Sequence, residues 1–251
     1  MYQTVKPKND SVQSDCGVCP IKRRAVCAYC EAQDLVELEK IKSYKTYAPG
    51  EMIIWTGDDM RFVGSIVSGV ASLSQTMEDG RRQMVGLLLP SDFVGRPGRA
   101  KAVFDVEAAT EVTICRFDRK PFEQLLVKLP HLSGRMLEMS LDELDAAREW
   151  MLVLGRKNAR EKIASLLSII ARREGELHKK PLRDGAEFDI KLTREAMADY
   201  LGLTLETVSR QINALKKDGV ISLQGKRHVK ICDCVRLMME TGNDDDGGMV
   251  I

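Results

Sequence analysis

Apolar positions follow different rhythms along this chain, and each change of rhythm marks a part. In "EAQDLVELEKIKSYKTY", Leu35, Leu38 and Ile41 stand at helical spacing and predict a short amphipathic helix. From Tyr44 to Phe117 the pattern shortens to runs rich in β-branched residues: "EMIIW", "GSIVSGVASLSQT", "RRQMVGLLL" and "EVTICRF". Gly, Pro and Asp break them. Asp79-Gly80 is a hairpin signal, and Pro49-Gly50 and Ser68-Gly69 mark other turns. Several short strands at regular spacing predict a small barrel or jelly roll. Residues 119–175 then lack a strong breaker apart from their prolines and a few glycines, and read as helices. Within them Leu137, Leu141, Leu144, Ala147, Met151 and Leu154 recur every third or fourth position. The mean interval is close to the ~3.5 of a two-stranded coiled-coil seam, so the stripe predicts a homodimer. The competing arrangement is packing of the same stripe on the chain's own barrel. Arg148 and Glu149 flank the seam and Ala147 thins it, which fits a weak, tunable dimer.

The most informative rhythm is in "LTREAMADYLGLTLETVSRQINALKKDGVI", residues 192–221. Thr193 is a good N-cap, and Ala196, Met197 and Tyr200 begin an apolar face. Gly202 interrupts. Thr204 then caps a second helix from Leu205 to about Lys217, with Val208, Ile212 and Leu215 as its buried face. Helix, short Gly-containing turn and helix make the helix-turn-helix unit, whose second helix enters the DNA major groove. "GVISLQGKRHVKI" adds a hairpin turning at Gln224-Gly225, which makes the unit a winged helix. Glu206, Ser209 and Arg210 lie off the buried face and have base-reading chemistry: Arg to guanine O6 and N7, Glu from cytosine N4, Ser to either. Lys216, Lys217, Lys226 and Arg227 are expected near phosphates. An ordinary helical hairpin with a solvated charged face would explain the helices but not the basic wing.

The predicted class is therefore α+β: an N-terminal β-barrel of jelly-roll type, a long dimerisation helix and a C-terminal winged helix-turn-helix. The expected boundaries are a cysteine-rich segment over 1–34, the barrel sensor domain over 35–125 and the dimerisation helix over 126–155. The DNA-binding domain follows over 156–236, and an acidic, flexible tail over 237–251.

Composition agrees with a folded protein, at 44% hydrophobic residues in 251. Net charge is only +1, but residues 156–230 hold 17 Lys and Arg against 10 Asp and Glu, a local surplus that suits a polyanion. The polar start "MYQTVKPKNDSVQSD" has no apolar core of a signal peptide, and no apolar run approaches the ~18 residues of a membrane span. A cytoplasmic protein is expected, in contact with no membrane. Thiols stay reduced there, so its seven cysteines point to metal binding or reactivity rather than structural disulfides. Four of the seven crowd into "CGVCPIKRRAVCAYC". An enzyme finds no support: there is no phosphate-cradling Gly loop, and His131, His178 and His228 are scattered without partners.

Barrel, long helix and a helix-turn-helix containing "LTLETVSRQ" together resemble the Crp/Fnr family of bacterial transcription regulators, over roughly residues 16–240. Glu206 to Arg210, "ETVSR", is similar to the recognition helix of the Fnr branch. That likeness implies a palindromic double-stranded operator with TTGAT-type half-sites, read by Glu206, Ser209 and Arg210. "GLLLPSDFVG" resembles the barrel segment that leads into the ligand pocket of cyclic-nucleotide binders. Here Gly95 is followed by Arg96-Pro97-Gly98-Arg99, and no Arg-Ser/Thr pair follows, so no cyclic nucleotide is expected. The hairpin tip at Asp79-Gly80 is similar to a surface that contacts RNA polymerase, which implies activation.

The Fnr-branch likeness also implies an oxygen-labile [4Fe-4S] cluster held by three N-terminal cysteines and one from the barrel, the four thiolates such a cluster takes. The barrel ligand would be Cys115, and Cys16 and Cys19 the first two. For the third, Cys27 is preferred, because a ligand needs slack before Leu35, with Cys30 as its competitor. The resulting Cys-x2-Cys-x7-Cys spacing, with "MVGLLLPSDFVGRPGR", is similar to the FnrL-type subgroup of alphaproteobacteria. Cluster loss would free the N-terminal segment and weaken the dimer. A zinc site on Cys16, Cys19, Cys27 and Cys30 is the alternative, and a heme sensor on the same scaffold is a further one. Cys232 and Cys234 read as structural.

Overall fold

The structure is a computed structural model that describes residues 16–177, 179–225 and 227–243. Helix α1 (Ala32–Ile41) opens with a capping box in which Glu31 and Asp34 exchange side-chain bonds with each other's backbone. The chain then becomes extended in β1 (Lys42–Tyr47), where Tyr44, Thr46 and Tyr47 favour a strand. Strands β2 (Met52–Ile54), β3 (Phe62–Ser68), β4 (Ala71–Thr76), β5 (Arg82–Leu88), β6 (Phe93–Val94), β7 (Asp105–Ala108) and β8 (Val112–Asp118) complete a two-sheet jelly roll. One sheet runs β1-β8-β3-β6 and the other β2-β7-β4-β5, all antiparallel. The hairpin predicted at Asp79-Gly80 joins β4 to β5, with Gly80 at φ +86°. The sequence pattern did not single out β6 and β7. Each is too short for a rhythm to stand out, although β7 does alternate half-buried and buried positions.

Strands β3 and β8 are apolar on both faces, and this positions the site. Phe62, Ile66, Val112 and Ile114 fill the barrel with Tyr47, Ile54 and Leu88. Val63, Val67, Cys115 and Phe117 point outward, into a second core made with Ile21, Val26, Leu38, Phe122 and Leu132. Period-two alternation would expose the outer set to water; here the cysteine segment, α1 and the next helix cover it.

That helix is α2 (Arg119–Lys128), and a separate α3 (Pro130–Arg156) follows. The long helix expected over 126–155 starts later, at Pro130: residues 126–128 belong to α2, which follows the last barrel strand directly. Pro130 supplies the break. It lacks the N–H an α2 continuation needs, and it forces Leu129 to φ −116°, ψ 95° while suiting the first turn of α3.

Residues 141–148 of α3 are exposed around the whole helix. Leu137, Leu141, Leu144 and Met151 are 62, 53, 45 and 73% exposed, so the stripe is not spent on the chain's own barrel. Leu154 departs from it and is partly buried against the C-terminal core.

Helix α4 (Ala159–Leu177) buries Ile163, Leu166, Leu167 and Ile170 at the centre of that core. Around it lie β9 (Glu187–Asp189), α5 (Arg194–Leu201), α6 (Leu205–Lys217), β10 (Ile221–Gln224), β11 (His228–Ile231) and α7 (Cys234–Met239). The expected two-stranded wing is a three-stranded sheet, β10-β11-β9. The tail expected over 237–251 is also corrected. Leu237 is fully buried and Thr241 nearly so, Arg160 binds Glu240 at 2.6 Å, and Lys157 binds Asn243 at 2.6 Å. Residues 244–251 of that expectation lie outside the described residues. Among the described residues no helix is long and apolar enough to cross a membrane.

Candidate functional site

Two sites emerge, one of sulfur and one of exposed polar side chains. The sulfur site begins with a single 3-10 turn at Cys16–Val18, followed by tight turns to Cys30. Ile21, Ala25 and Val26 anchor these turns on the barrel's outer face. Cys16, Cys19, Cys27 and Cys115 thereby line one pocket, with Ile21, Ala25, Val26, Leu38, Tyr44, Ser65 and Phe117. Apart from the four thiols and the Tyr44 and Ser65 hydroxyls, the side chains of that lining are apolar. Cys30 is not in that lining; it is buried in the apolar cluster beneath α1.

Burial drives the thiol chemistry. Cys115 is pushed up to about 12 by desolvation and by the neighbouring sulfurs of Cys16, Cys27 and Cys19. Cys27 is pushed up to about 11 by burial, then by Cys19 and Cys16. Cys30 rises to about 12 through burial, Cys27 and Asp34. Cys16 is raised by burial too, against an opposing bond from Lys42, whose Nζ lies 3.0 Å from Cys16 Sγ. Glu39 closes this group: it accepts the Cys16 amide at 3.1 Å and Lys42 Nζ at 3.2 Å. Among the described residues no three His, Cys, Asp or Glu side chains converge on a point where one ion could sit. The four sulfurs surround a space instead.

The cysteine segment is tied to the helices beyond the barrel. Arg135 of α3 donates to the carbonyl of Arg24 at 2.7 Å, pairs with Glu138 at 2.6 Å and lies over the ring of Tyr29. The Tyr29 hydroxyl donates to Glu138 at 3.2 Å. Arg24 reaches further and pairs with Glu176 near the end of α4.

The polar site is the helix pair. Thr193 Oγ1 accepts from Ala196 N at 3.0 Å and Thr204 Oγ1 from Thr207 N at 3.2 Å, so both predicted caps are made. Gly202 turns the chain at φ +62°, and Leu203 N closes the turn on Ala198 O. Val208, Ile212 and Leu215 are buried. Glu206 and Arg210 are exposed and Ser209 half-buried on the outer side of α6; Arg210 Nη2 lies 3.4 Å from Thr207 Oγ1. Lys216 and Lys217 are exposed in the last turn of α6 and Arg227 at the wing tip. Lys226 lies outside the described residues.

Residues 161–239 match the family model of the Crp-like helix-turn-helix domain, and residues 44–128 that of the cyclic nucleotide-binding domain. The transcriptional activator protein FnrL of Cereibacter sphaeroides is 63% identical over 236 residues, 94% of this chain and 95% of that protein. This chain belongs to the Crp/Fnr family. Among its relatives, the transcriptional activator protein Anr of Pseudomonas aeruginosa is 28% identical, over 98% of this chain and 100% of its own. The solved structure of FixK2 from Bradyrhizobium japonicum aligns with a TM-score of 0.73 at 27% identity, covering 81% of this chain and 99% of that one.

Sequence reasoning did not single out Lys42, Tyr44, Ser65, Arg24, Arg135 or Glu176. Tyr44 and Ser65 become neighbours of Cys115 only through strand register, Tyr44 and Ser65 each standing opposite it. No local signal marks that pairing. For Arg135 and Glu176 the one available hint is charge at helix positions that could face the cysteine segment.

Proposed function

We propose that this chain is an oxygen-responsive transcription activator of the cytoplasm that binds TTGAT-type palindromic DNA as a homodimer. In this reading Cys16, Cys19, Cys27 and Cys115 hold a [4Fe-4S] cluster. The observation that carries it is the shared pocket: three N-terminal cysteines and one barrel cysteine, distant in sequence, line one apolar space that Cys30 does not line. Four thiols are the ligand set such a cluster takes. The fully buried Ser65 hydroxyl, which has no partner, also faces that space and fits a group with sulfur acceptors. Bound there, the cluster would supply an oxygen-labile redox centre.

The chain's own residues carry the consequence. The cysteines hold residues 16–30 against β8. Seated so, that segment presents Arg24 and Tyr29 to Arg135, Glu138 and Glu176, and so braces α3 and α4. The exposed stripe of α3 then pairs with that of a second copy. Two α6 helices reach half-sites about one helical turn apart, ~34 Å. Glu206, Ser209 and Arg210 read base edges, and Lys216, Lys217, Lys226 and Arg227 meet phosphates. The exposed hairpin tip at Asp79-Gly80 is offered to RNA polymerase, and the barrel takes no cyclic nucleotide.

Anaerobic purification, iron and sulfide analysis and binding to a TTGAT palindrome with and without prior aeration test the reading. Iron and sulfide near four each per chain, with DNA binding lost on aeration, are expected. Equal binding before and after aeration overturns the switch. Zinc in place of iron and sulfide overturns the cluster.

A further inference from the structure

Cys115 does not stand alone on its strand. The register of β1-β8-β3 sets Tyr44 opposite it on one side and Ser65 on the other. A row of hydroxyl, thiol and hydroxyl therefore crosses three strands on the face that lines the cysteine pocket. Ser65 is 2% exposed, and its Oγ has no hydrogen-bond partner. A buried hydroxyl left unpaired bears the cost of desolvation with no return. Packing alone does not call for one: Val63 and Val67, two positions either side on the same face of β3, are apolar and buried. Across the row, Tyr44 stands opposite Cys115 and lines the same pocket, so it brings a second hydroxyl to that face.

Resting on the cluster reading above, we infer that Ser65 and Tyr44 are the barrel's hydrogen-bond donors to the sulfur atoms of the bound group, and that they hold its reduction potential up. Reduction adds negative charge to the sulfurs, and a donor aimed at them stabilises the more negative form. Losing a donor lowers the potential, which favours loss of an electron to dioxygen and shortens the lifetime in air. Both are positioning residues; neither ligates iron. Ser65 is the sharper case, because its hydroxyl has no other role among the described residues.

Full-length wild type, Ser65→Ala, Ser65→Thr and Tyr44→Phe, prepared without oxygen, make the test. Iron and sulfide content, reduction potential by spectroelectrochemistry and the half-life of visible absorbance in air-saturated buffer are the readouts. Ser65→Ala and Tyr44→Phe are expected to load, with lower potentials and half-lives shortened several-fold, and Ser65→Thr to restore both. Potentials and half-lives equal to wild type in Ser65→Ala and Tyr44→Phe overturn the inference. Should Ser65→Ala fail to load, loading by Ser65→Thr supports the hydroxyl; failure of both means the site needs the serine's volume, and the inference falls. A wild type without iron and sulfide instead overturns the cluster reading itself, a result separate from any difference among the variants.

Discussion

At the scale of single residues, the choice between Cys27 and Cys30 is a matter of which side of one turn each sulfur takes. Cys30 N bonds Cys27 O, so the two share a turn, yet only Cys27 lines the pocket while Cys30 is buried beneath α1. Cys27→Ala should therefore abolish iron and sulfide incorporation, and Cys30→Ala should keep it at the cost of some stability from the lost packing. Iron and sulfide analysis of the two variants decides. At the other site, Arg210 is exposed on the outer side of α6 and weakly held by Thr207, free to swing to a guanine edge. Arg210→Ala should weaken anaerobic binding to the palindrome by about 1–3 kcal/mol and relax preference at the guanine of each half-site, read by anisotropy titration against substituted operators. Substituting Lys216 should weaken all sequences alike and flatten the salt dependence.

At the scale of elements, the helix-turn-helix was legible because its signals are local. Thr193, Gly202 and Thr204 fix starts and stops within a few residues, and Val208, Ile212 and Leu215 fix the face; the structure makes each of these features. Thr204→Ala, removing the cap of α6, should cost about 1 kcal/mol of stability, seen as a lower urea midpoint with unchanged slope. The barrel was legible as a class but not as a pairing. Strand register is set by contacts distant in sequence, so the placement of Tyr44 and Ser65 beside Cys115 could not be read from spacing. The short β6, β7 and β9 escaped for want of length. The stripe on α3 lies between these cases: its period was plain, but whether it faced the barrel or a second copy was not. With residues 141–148 exposed all round, Leu141 and Leu144 are left for a partner. Leu144→Asp should convert anaerobic dimer to monomer in sedimentation velocity, because a buried carboxylate at the seam is unpaired, while the cysteine pocket, which Leu144 does not line, stays able to load.

At the scale of the whole molecule, the question is how events at the cysteine segment reach the helix pair. The path in the structure is short. Arg135 is the joint: its guanidinium holds the Arg24 carbonyl, the Glu138 carboxylate and the Tyr29 ring together, with a side chain only 11% exposed. Arg24 continues to Glu176, at the end of the helix that forms the centre of the DNA-binding core. Charge-assisted bonds of this kind, partly buried, are worth more than surface pairs and fail together when their common member is removed. None of these residues is part of the pocket lining or of α6. Arg135→Ala should therefore load iron and sulfide as wild type does, and its aerated form should bind the palindrome as aerated wild type does. Its anaerobic form should lose much of the gain in affinity that the proposed function assigns to loading, with Arg24→Ala giving a smaller loss in the same direction. Paired titrations, anaerobic and aerated, measure that gain for each variant. A gain equal to wild type in Arg135→Ala would move the connection elsewhere, to the apolar contact of α1 and α2 over Cys115 and Phe117.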